Sequence, residues 1–68
     1  MKNNIRVERA ILNITQEQLA QKINVTRQTI HAIENGKYVP STVLALKIAR
    51  VFNKNVEEVF LLEESDMG

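Results

Sequence analysis

Apolar residues along this chain fall in short runs of helical period, broken by single polar stops. Ile5, Val7, Ala10, Ile11 and Leu12 predict a first helix over about Ile5–Asn13, with Asn3 or Asn4 as its cap. Leu19, Ala20 and Ile23, spaced i, i+1 and i+4, predict a second helix over Gln16–Ile23. Ile30 and Ile33 give the inner face of a third, residues 27–35, and Ala45, Ile48, Ala49 and Phe52 the inner face of a fourth over Thr42–Phe52. A short fifth helix is expected over Val56–Leu61, with Val59 and Phe60 packed inward. No stretch alternates long enough for a sheet. The expected fold class is therefore all-α, five short helices around one core, each too short to be stable alone.

The polar stops carry their own signals. Thr15 with Gln18 three residues on is a capping box, and Ile14 and Leu19 have the spacing of a hydrophobic staple. Asn24 tolerates the left-handed conformation that ends a helix, and Thr26 caps the next, with Val25 and Ile30 as a second staple. Asn35 and Gly36 stop that helix. Ser41, after Pro40, caps the fourth, and Asn55 with Glu58 repeats the cap-and-acid pattern before the fifth. The turn at Asn24 is too short for antiparallel helices. The second and third must cross steeply, a helix-turn-helix arrangement whose second helix can enter a major groove.

With 68 residues the chain is bounded to one domain. The reading places that domain at residues 1–62 and a frayed acidic tail at 63–68. No cysteine and a single histidine leave no disulfide framework and no metal site, and no cofactor is expected. No apolar run approaches the ~20 residues of a membrane span, so a cytoplasmic protein without a membrane partner is expected. Net charge is only +1, but its distribution is uneven. Residues 1–54 hold all nine Lys and Arg against three Glu, a net +6, while residues 55–68 hold five acids and no base, a net −5. A basic body suits contact with phosphates, and an acidic end points away from them.

The segment Thr15–Gly36 resembles the Cro/CI-type (XRE-like) helix-turn-helix family of phage and bacterial repressors. The resemblance rests on Gln16, Leu19, Ala20, Ile23, Val25, Ile30, Ile33, Glu34, Asn35 and Gly36, and extends to Arg9 and to Pro40–Phe52. It implies a lambda-repressor-like DNA-binding domain acting on double-stranded DNA. It further implies a small residue at Ala20 for close helix approach, and a structural ion pair between Arg9 and Glu34. Two positions depart from the family: Asn24 stands for its usual Gly, and Glu8 for its usual apolar residue. Val7 or Ile11, or a partner subunit covering them, would make up the packing at Glu8.

The DNA-binding candidates follow from position. Gln16 opens the second helix, where a free backbone N–H and an amide hold a phosphate, and where it can brace Gln28 from behind. Thr26, Arg27, Gln28 and Thr29 open the reading helix; Arg matches guanine O6/N7 and Gln matches adenine N6/N7. A plain solvated face would accept carboxylates equally well, and this one has none. His31 sits one turn on, at the rim. Asn35, Lys37 and Tyr38 follow as a phosphate clamp, with partial burial of Tyr38 as the plainer account of that residue. Leu44, Leu46, Val51, Phe60, Leu61 and Leu62 exceed the needs of so small a core. Some of them are expected to lie exposed as one patch around the fifth helix that pairs two copies and sets their reading helices roughly 34 Å apart. The scattered Glu, Ser and His residues form no catalytic set, so no enzyme is expected. The expectation is a transcriptional regulator of the repressor type. The rival is an antitoxin-like interaction module on the same fold, with the acidic tail as its partner-binding segment.

Overall fold

A computed structural model describes all of residues 1–68. The chain runs β1 (Lys2–Asn3), α1 (Ile5–Leu12), α2 (Gln16–Lys22), α3 (Arg27–Glu34), α4 (Thr42–Val51), α5 (Val56–Val59), β2 (Phe60–Leu61) and α6 (Glu64–Met67). The caps explain most of these boundaries. Thr15 Oγ1 accepts from the Gln18 backbone N–H at 3.0 Å, and Gln18 Oε1 accepts from the Thr15 N–H at 2.8 Å. Thr26 and Ser41 cap α3 and α4 in the same way, each accepting at 3.2 Å from the residue three on. At α1 it is Asn3 that reaches the helix end, its Oδ1 accepting from Ile5 N–H at 3.2 Å. The Asn4 side chain turns away and donates to the Glu58 carbonyl. Asn13, Asn24 and Asn53 sit at φ 56°, 60° and 55°, and Gly36 at 73°, so each of α1 to α4 is followed by a residue tolerant of the left-handed region.

Two features differ from the sequence expectation. The fifth helix stops at Val59, because Phe60 turns to extended backbone (φ −115°, ψ 127°) and pairs with β1. The pairing is antiparallel, with Lys2 opposite Leu61 and Asn3 opposite Phe60. A two-residue ladder has no room to show a period of two, so the pattern carried no trace of it. The acidic tail is also folded rather than frayed. Glu63 and Asp66 close a capping box over α6, and the Met1 ammonium lies 3.0 Å from Glu63 Oε1 and 3.2 Å from Asp66 Oδ2.

Ile5, Leu19, Ala20, Ile23, Ile30, Ile33, Ile48, Ala49, Phe52, Val59 and Phe60 form the core. Ala20 is wholly buried where α2 meets α3, and a larger side chain there would force those helices apart. Phe60, expected both to pack inward and to belong to the pairing patch, is a core residue that β2 turns inward, so it packs inward and is not part of an exposed patch. Leu44 and Val51, expected in the same patch, pack half-buried against the core. Leu61 and Leu62 are exposed, as is Leu46. Glu8 lies one turn past Ile5 on the buried face of α1 and is enclosed despite its charge; Lys54 Nζ donates to its Oε2 at 3.4 Å. Neither Val7 nor Ile11 replaces it in the core, since they are 57% and 66% exposed on the far side of α1. No helix is long and apolar enough to cross a membrane.

Candidate nucleic-acid interface

The candidate interface is built on the corner where α1, α2 and α3 meet. Glu34 closes α3 with a side chain only 1% exposed. Arg9 of α1 grips it with a planar fork: Nε donates to Oε2 at 2.6 Å and Nη2 to Oε1 at 3.1 Å. The remaining Arg9 arm, Nη1, donates to the Ile14 carbonyl at 3.1 Å and so fixes the link into α2. Gln16 Nε2 adds a third donor to Glu34 at 3.2 Å, and Arg6 Nε stands 3.7 Å away. Burial pushes the Glu34 carboxyl up, but the hydrogen bonds from Arg9 and Gln16 and the Arg charges outweigh it. The group is held below its ordinary value of 4.5 and stays ionised. One carboxylate therefore orients three helices, and through them the face that α3 presents.

That face opens at the Thr26 cap. Thr26 is exposed but occupied: its Oγ1 takes the Thr29 N–H and lies 3.0 Å from Thr29 Oγ1. Thr29 is half-buried, so both hydroxyls first hold the helix end together. Arg27 and Gln28 are exposed, and neither side chain is tied down within the chain. Arg27 shares a shallow groove of about 470 Å³ with Asn13, Thr15, Gln16 and Glu17. Glu17 thus puts a carboxylate in the groove beside α3, whose own leading face carries none.

Gln16 does not brace Gln28. Its amide is drawn the other way, to Glu34 and to His31, whose Nδ1 lies 3.5 Å from Gln16 Nε2. Ionised Glu34 is the stronger acceptor, so it wins the amide over a neutral partner. His31 is exposed and its other nitrogen, Nε2, is 2.9 Å from the Asn35 side-chain amide. Lys37 is exposed, with its backbone N–H held by the Ala32 carbonyl at 2.9 Å. Tyr38 is 47% exposed. The structure thus gathers Gln16, His31 and Asn35 into one chain and leaves Arg27, Gln28 and Lys37 free. Position-by-position reading missed the Gln16–His31 contact, which joins residues on different helices. The i, i+4 spacing of His31 and Asn35 was the one available hint.

Comparison with known proteins gives the same outline. A family model described as helix-turn-helix matches residues 5–59. The chain is 52% identical over 66 residues, 97% of its length, to the whole of an uncharacterized HTH-type transcriptional regulator of Methanocaldococcus jannaschii. It is 50% identical over 66 residues, again 97% of its length, to the whole of the HTH-type transcriptional regulator YgzD of Bacillus subtilis. A similarly named protein of Archaeoglobus fulgidus is 48% identical over 67 residues, 98% of this chain and 94% of that one.

Proposed function

This chain belongs to the helix-turn-helix family, and from that premise we propose that it is a sequence-specific DNA-binding repressor that acts as a homodimer in the cytoplasm. The observation that carries the reading is the leading end of α3. Arg27 and Gln28 stand exposed and unengaged there, on a helix whose tilt is fixed from behind by the Glu34 cluster. Free polar side chains at the N-terminal end of the second helix are those that meet base edges when such a helix lies in a major groove. Lys37, beyond the C-terminal end of α3, adds charge toward the flanking phosphate. Leu61 and Leu62, exposed like Leu46, are the residues through which two copies pair. The rival reading, a free acidic segment that captures a partner, is weakened by the engagement of Glu63 and Asp66 with the Met1 ammonium.

The test compares binding to the DNA upstream of the chain's own gene with binding to a scrambled duplex, over several salt concentrations. Gln28→Ala should lose about 1–3 kcal/mol on the specific duplex and little on the scrambled one. Lys37→Ala should weaken both and lower the salt slope by about one counterion. Equal losses on both duplexes for Gln28→Ala would make Gln28 a backbone contact. No binding to either duplex by the unaltered chain would end the reading.

A further inference from the structure

His31 presents both ring nitrogens to side-chain amides, Nδ1 at 3.5 Å from Gln16 Nε2 and Nε2 at 2.9 Å from Asn35 Nδ2. A neutral imidazole has one N–H and one lone pair, so it cannot accept from NH₂ groups on both sides. One amide must show it an oxygen. Gln16 cannot, because the same Nε2 also donates to Glu34 Oε1 at 3.2 Å, and turning the amide would set its oxygen against a buried carboxylate. Asn35 can, because it is exposed and His31 is the one partner its side chain has within the chain. A half-turn of its amide exchanges nitrogen for oxygen at almost no cost in shape.

We propose that Glu34, Gln16 and His31 form a relay that fixes the His31 ring as its Nε2–H tautomer and turns the Asn35 amide so that its NH₂ faces outward, as a donor to a DNA phosphate. The sequence of constraints is one-directional. The carboxylate selects which end of Gln16 faces inward. The Gln16 NH₂ requires a lone pair on His31 Nδ1, which leaves the proton on Nε2. The Nε2–H then selects the Asn35 oxygen, and the Asn35 NH₂ is left pointing at solvent beside Lys37. An outward donor suits an anionic backbone; an outward carbonyl oxygen would repel it. His31 is thus a positioning residue that acts through Asn35, and the last link rests on the DNA-binding reading above.

Two measurements test it. In the free protein, nuclear magnetic resonance of the neutral ring should show the proton on Nε2. Through-space contacts should run from the Gln16 NH₂ protons to the ring and not from those of Asn35. A proton on Nδ1, or Asn35 NH₂ protons against the ring, overturns the relay. On DNA, His31→Phe should weaken binding to operator and scrambled duplexes alike by about fivefold when Asn35 is present, and scarcely at all in an Asn35→Ala background. Equal losses in both backgrounds would show that His31 does not act through Asn35. If the unaltered chain binds no duplex, the outward donor has no use and the DNA reading falls with it. The resonance measurement still decides the relay by itself.

Discussion

Glu34 and Glu8 are both acids taken out of water, one at the end of α3 and one on the inner face of α1, and the fold provides for them very differently. Glu34 receives two hydrogen bonds from a fixed Arg9 fork and one from Gln16, with Arg6 close by. Glu8 has a single long contact, 3.4 Å, from a Lys54 side chain that is 40% exposed. A buried charge is costly unless geometry and hydrogen bonding compensate it. By that measure Glu34 is nearly saturated and Glu8 is not. The difference follows location. Glu34 ties together the three helices that aim α3, so a charge there specifies orientation. Glu8 fills a place that an apolar side chain would fill as well.

The largest test of this contrast is Arg9→Ala. It leaves Glu34 buried and short of its main donor, and should cost about 3–5 kcal/mol by urea unfolding. A loss below about 1 kcal/mol would place the pair with ordinary surface ion pairs and erase the contrast. Glu8→Leu is the opposite case. Lys54 keeps its hydration when the acid goes, and the chain should be unchanged or up to about 1 kcal/mol more stable. A clear destabilisation would mean that Glu8 is better compensated than its one contact indicates. The smallest effect is the acid limb of stability. The Glu34 carboxyl is lowered in the folded state, so its contribution is complete above the ordinary value of 4.5 and is lost as pH falls through the folded value. Urea midpoints measured downward from pH 6 should fall less steeply in Glu34→Gln than in the unaltered chain. Parallel slopes would show that other carboxylates dominate acid unfolding.

The helices were legible because local chemistry and burial agree along most of the chain. Thr15, Thr26 and Ser41 each announce a helix start, and Leu19, Ala20, Ile30, Ile33 and Ile48 show a one-sided period. What was not legible depends on pairs far apart in the chain. Phe60 leaves its helix to pair with Asn3, and Glu63 and Asp66 find the Met1 ammonium. Gln16 was expected behind Gln28 because position alone cannot rank two competing partners; the buried carboxylate decided between them. The exposed Arg27 and Gln28 and the surplus of leucines could be named from the sequence. Whether Phe60 belonged to the surface or the core could not, since both uses want the same side chain.

The β1–β2 ribbon also has a meaning in time. Its two strands stand at opposite ends of the chain, Lys2–Asn3 against Phe60–Leu61. A ribosome adding about 5–20 residues per second makes the first strand some seconds before the second exists. During that interval Asn4, whose backbone N–H finally meets the Val59 carbonyl at 2.8 Å, has no partner. The helix-turn-helix segment is already complete by then, yet α1 cannot be sealed onto α5. A chain that stops short of Val59 therefore carries α3 on a body whose β1 strand is unpaired and whose Asn4 N–H lacks its acceptor.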